Sequence, residues 1–183
     1  MLCYHGTTFK NAKAIISGNK IKPEGAWNDS LRDDYLYLWP ANKVERKEGW
    51  ESTLQELLYN GFSSAQIQAA IEGENTKLVV LELNIPKWLV DDDISSEIMV
   101  RYASCIHFED LQKDFIKSVY ICDYNKWHSP FILASLLKRD NFSGYIMDDS
   151  LLSLAQTLSD VNLPAMDELL EFDYRKHDVN FLE

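Results

Sequence analysis

The sequence predicts an α+β protein with its strands early and its helices late. Strand-like runs at Leu2–Tyr4, Tyr35–Pro40, Lys77–Ile85, Glu97–Ser104 and Phe115–Cys122 all precede residue 125, and from Ser129 onward apolar positions recur at helical spacing. A chain of 183 residues, 46% hydrophobic and 12% aromatic, is long and apolar enough to bury one core without staples.

Each element has a local reason. Leu2 to Tyr4 open a strand that reaches Gly6, and Thr7 or Thr8 can cap the helix that follows. That helix buries Phe9, Ala12, Ile15 and Ile16, and Gly18-Asn19 closes it. Pro23, Gly25, Asn28 and Asp29 mark a loop. Tyr35-Leu36-Tyr37-Leu38-Trp39-Pro40 is a strand apolar on both faces. Ala41 to Gly73 reads as mostly helical, split at Gly61, with Ser63 or Ser64 capping the second piece. Lys77 to Ile85 has the strongest strand pattern and suits a central position. Trp88 to Asp93 reads as a turn. The last third reads as helices from Ser129-Pro130, at Ser150–Leu158 and at Pro164–Phe172, with a short strand at Gly144–Met147. The expected organisation is a core over residues 1–125 and an acidic helical segment over 126–183 packed on it.

Charge and cysteine content narrow the function. The net charge is −11, which disfavours a nucleic acid partner held through its phosphates. Residues 148–183 carry nine acidic and two basic side chains, so the tail supplies −7 and the body −4. Cys3, Cys105 and Cys122 form no CxxC and lie in apolar runs, which suits a reducing compartment. With neither a leader-like opening nor an apolar run of membrane-spanning length, the expected location is cytoplasmic. His107 and His128 have no partner at zinc spacing, and neither a P-loop nor a GxGxxG is present, so no metal is expected.

Three features carry the chemistry. His5-Gly6-Thr7 places an imidazole beside a backbone with no side chain to block a ligand. The Tyr37 strand follows, with Tyr35 on the same face. Glu97 then opens a strand after Asp91-Asp92-Asp93. Singly, each also suits an ordinary core; their order is what points to a site.

In that order they resemble the ADP-ribosyltransferase family, in particular its His-Tyr-Glu class, which includes diphtheria toxin and the poly-ADP-ribose polymerases. The likeness covers roughly residues 1–122. It implies a split β-sheet core, two packed and mostly antiparallel sheets with flanking helices. It also implies a mono-ADP-ribosyltransferase, a glycosyltransferase that uses NAD as co-substrate and modifies a target protein, as effectors of bacteria or their viruses do. By resemblance, His5 holds the NAD ribose and Gly6 binds the nicotinamide carboxamide, with Thr7 beside them. Tyr37 packs on the nicotinamide ring, Tyr35 being the alternative, and Trp50 either forms the opposite wall or belongs to the core. Glu97 matches the catalytic glutamate, whose carboxylate stabilises the positive charge that develops on the ribose. Glu109 and Asp148 are the alternative acids.

Two other readings compete. An NAD-dependent RNA 2′-phosphotransferase also begins with a His-Gly, but it needs basic residues for its RNA. A catalytically inactive binding or inhibitor protein on the same fold would use the acidic surface against a basic partner.

Overall fold

The computed structural model describes residues 1–18, 35–41, 53–72, 77–92, 104–107, 111–123 and 173–182. Its framework is an antiparallel sheet flanked by helices. The strands are β1 (Leu2–Thr8), β2 (Tyr35–Pro40), β3 (Lys77–Asn84), β4 (Asp91–Asp92), β5 (Ser104–His107), β6 (Ile116–Asp123) and β7 (Tyr174–His177). They lie in the order β4-β5-β2-β1-β3-β6-β7, and every pairing is antiparallel. Helix α1 (Phe9–Ile16) covers one face and helix α2 (Leu54–Glu72) the other.

Alternation along the central strands sorts side chains between two cores. Tyr4, Leu78, Val80, Tyr120 and Cys122 meet Leu57, Leu58, Phe62, Ala65 and Ala69 of α2. Cys3, Val79, Leu81, Leu83, Val119 and Ile121 meet Ala12, Ile15 and Ile16 of α1, together with Leu36 and Leu38 of β2. Strand β3 is buried on both faces from Leu78 to Leu81, as expected of a central strand.

The helix ends follow from short-range chemistry. Thr8 caps α1, its hydroxyl accepting from the Asn11 N–H at 3.3 Å. At the other end Gly18 takes a left-handed φ of 77° and donates to the Ile15 carbonyl. Thr53 and Glu56 form a reciprocal capping box before α2. The Thr53 N–H donates to Glu56 Oε2 at 2.7 Å, and the Glu56 N–H donates to Thr53 Oγ1 at 3.2 Å.

Several expectations change. β1 does not stop at Gly6 but runs through it to Thr8, fully paired with β3. α2 is not split at Gly61. Both glycines mark where α2 crosses the sheet. A β-carbon on Gly6 would fall on the Gly61 carbonyl, 2.5 Å from its carbon and 2.9 Å from Gly61 Cα. One on Gly61 would lie 2.7 and 2.9 Å from the Val80 methyl carbons. The helix accepts a residue of low propensity, costing about 1 kcal/mol, because backbone meets backbone there.

Asp91 and Asp92 pair with Cys105 and Ser104 as a short strand and not as part of a turn. Of the strand expected at 97–104 only Ser104 is described, since 93–103 lie outside the described residues; it opens a strand, Ser104–His107, where none was expected. The C-terminal segment is not helical to its end. Tyr174–His177 add to the sheet beside β6, and Leu182, in the turn Val179–Leu182, is buried in the α1-side core. Arg175 and Lys176 give this strand an exposed, charged character suited to a sheet edge. The helices expected between Ser129 and Phe172, and the strand at 144–147, lie outside the described residues.

Candidate functional site

Strands β1 and β2 share only a short ladder. Cys3 pairs with Pro40 and Tyr4 with Trp39, and there the pairing ends. Beyond it β1 continues along β3, while β2 pairs from Leu38 to Tyr35 with β5. The sheet therefore parts between residues 5–8 of β1 and 35–38 of β2.

The direction of the backbone groups at this parting follows from the ladder. The Leu2 carbonyl accepts from Ala41 N–H on the β2 side, whereas the Met1 carbonyl accepts from Ile85 N–H on the β3 side. Successive residues of an antiparallel strand alternate between neighbours. Leu2, Tyr4 and Gly6 thus direct their N–H and C=O toward β2, and Cys3, His5 and Thr7 toward β3. Continuing the β1–β2 register would set Gly6 opposite Tyr37, but the ladder stops at Tyr4 and Trp39, and Tyr37 pairs only on its other edge, with Cys105. Gly6 is left aiming one donor and one acceptor into the parting, with no ladder to take them. Its missing side chain is accounted for on the other side, by Gly61.

His5 is half-buried at the start of the parting. It shares the parity of Cys3 along β1. Thr7 is buried, and its hydroxyl donates to Gln68 Oε1 of α2 at 2.9 Å. The Thr7 side chain is thereby engaged in holding α2 along β1. The backbone of Tyr35 and Tyr37 lies in β2, opposite His107 and Cys105. Trp39, two positions on, packs against the α2-side core. Glu97, Trp50, Glu109 and Asp148 lie outside the described residues. The structure brings His5, Gly6 and the Tyr37 position to one parting, and the expected acid, Glu97, is not among the residues it describes.

A second polar group of residues lies on the α2 face. Glu82 of β3 stands directly across from Tyr4 on one side and Ser118 on the other. Its Oε2 accepts from Tyr120 Oη at 2.8 Å and Tyr4 Oη at 3.4 Å, and Lys176 Nζ of β7 is 3.5 Å away. Burial, and then the Glu82 carboxylate, push the Tyr4 phenol pKa well up. Burial likewise raises Tyr120. Lys176 is raised, chiefly by its hydrogen bond to Tyr120 and also by Glu82. A bulge between Glu82 and Leu83 shifts the β3–β6 register beside this group. The sequence carries a signal for it: Leu78, Val80 and Glu82 share one face, so Glu82 is an acid on an otherwise apolar stripe.

Among the described residues no helix is long and apolar enough to cross a membrane. Comparison with known proteins returned nothing: no family model, no curated protein and no solved structure matches this chain.

Proposed function

We propose that this chain is a mono-ADP-ribosyltransferase on a split-sheet core, one that cleaves NAD and transfers ADP-ribose to a protein. The observation that carries the reading is the parting of β1 from β2, with the Gly6 N–H and C=O directed into it at the register position of Tyr37. A planar carboxamide offers one acceptor and one donor side by side. A glycine peptide unit with both groups free of the ladder is complementary to it.

In this reading nicotinamide enters the parting with its carboxamide on Gly6 and its ring on Tyr37. His5, one residue earlier and half-buried, holds the ribose. The glycosidic C–N bond breaks, and nicotinamide leaves with the bonding electrons. Glu97 stabilises the cationic ribose and takes the proton of the attacking side chain as the new bond to C1′ forms. A net charge of −11 favours a protein acceptor over DNA or RNA.

Incubation with labelled NAD and a cell lysate tests this. Wild type labels a protein band. Glu97→Gln keeps NAD affinity by calorimetry and loses transfer by roughly 100-fold or more. His5→Ala and Tyr37→Ala lose NAD affinity. No NAD binding by the folded wild type, or equal labelling by all variants, overturns the reading. Release of 2′-phosphate from RNA would point to the phosphotransferase reading instead.

A further inference from the structure

We infer that Glu82, Tyr4 and Tyr120 form a recognition site for a primary alkylammonium group, which the chain's own Lys176 fills. The inference is independent of the NAD reading, since Glu82, Tyr4 and Tyr120 have no part in that site. The receptor half is built from three adjacent strands, β1, β3 and β6. Tyr4 and Tyr120 are 3% and 2% exposed, and their rings stand 6.4 Å apart, with Tyr174 edge-on to Tyr120 at 5.7 Å. Two phenols fix Glu82 Oε2, so the carboxylate is oriented without help from Lys176. Oε1 takes no hydrogen bond from any described residue. Ser118 Oγ, directly across the ladder on the same face, is buried without a partner. A carboxylate set among apolar side chains favours a cation beside it. The arrangement of a fixed carboxylate, phenol oxygens and an aromatic ring face suits an ammonium on an alkyl stem.

The occupant is held more loosely than the receptor. The Lys176 side chain is 56% exposed against 16% for Glu82. Its Nζ lies 5.1 Å from the Tyr120 ring centroid and 3.5 Å from a single carboxylate oxygen. An exposed ion pair of this kind contributes little and exchanges readily. Removing the Lys176 side chain leaves the receptor intact and vacant for an amine from solution.

The test is rescue of full-length Lys176→Ala by propylammonium chloride, read as Tm against sodium chloride of equal ionic strength. An exposed side chain is removed, so the fold is retained; Lys176→Thr, a better strand former, is the second variant. Propylammonium raises the Tm of either variant saturably, by roughly 3–5 °C at tenfold excess over its Kd. Wild type, already filled, shows no such rise, and Lys176→Ala/Glu82→Gln shows none. Identical responses of all four proteins, or no saturable rise in either Lys176 variant, overturn the inference.

Discussion

Gly6→Ala probes the closest approach in the fold. The added methyl falls on the Gly61 carbonyl, 2.5 Å from its carbon and 2.9 Å from Gly61 Cα. Carbon atoms pack at about 3.5–4.0 Å, so α2 must lift from β1 by about 1 Å or more. No rotamer relieves this, since backbone stands on both sides. Overpacking typically costs about 1–3 kcal/mol, and a clash against a helix backbone lies at or above the top of that range. For a chain of this size about 3 kcal/mol corresponds to a fall in Tm of roughly 6–12 °C. Urea denaturation followed by circular dichroism measures it, with the midpoint falling and m unchanged. Gly61→Ala is the control. Its methyl meets the buried, stiff Val80 side chain at 2.7 and 2.9 Å, an overpacking of about 1–3 kcal/mol that about 1 kcal/mol of helix propensity offsets, so it destabilises by about 2 kcal/mol at most. If Gly6→Ala proves no more destabilising than Gly61→Ala, the backbone contact between α2 and β1 is not as tight as described.

Two further outcomes concern stability. Thr53→Ala removes the reciprocal cap of α2 and lowers stability by about 1 kcal/mol, seen as a Tm lower by roughly 2–4 °C. Burial pushes the Cys3 thiol from 9.0 up to about 12, so the folded state holds that proton more tightly than the unfolded chain. The associated stability is complete below pH 9 and is lost as pH rises from 9 to about 12. Tyr4 and Tyr120 are raised from 10.0 and act in the same sense at higher pH. In Cys3→Ala the loss of Tm between pH 9 and 12 is therefore smaller than in wild type. An unchanged loss would show that this thiol is not the group concerned.

Much of the sheet is legible in the sequence because alternation is a local signal. Lys77–Asn84 and Ile116–Asp123 bury the residues their patterns select. The Thr8 cap and the Gly18 terminus are also local, and so is the Thr53-Leu54-Gln55-Glu56 capping box. Gly61 misleads because its role depends on Gly6 and Val80, distant in sequence, and propensity alone reads it as a break. β7 escapes notice for a similar reason. Tyr174-Arg175-Lys176-His177 has no apolar alternation, and its strand form comes from the ladder that β6 offers and from Lys176 meeting Glu82. For the candidate site, His5-Gly6 is visible as a motif. That Gly6 faces a parting of the sheet depends on where the β1–β2 ladder ends, which the motif does not encode.

The central place of β1 bears on how the chain is made. Its main partner, β3, follows it by a long stretch of chain: Tyr4 and Glu82 are 78 residues apart. At about 5–20 residues per second, β1 waits roughly 4–15 s before it can pair with β3. During that time only the start of β1 can pair, through Tyr4 with Trp39 of β2, and His5-Gly6 stays open to chaperones or to other nascent chains. The edge strand β7 can join only after β6, the strand it pairs with, has been made. Pausing near residue 84 would lengthen the exposure of the segment that carries the candidate site, so yield of folded protein should depend on elongation rate before β3 more than after β6.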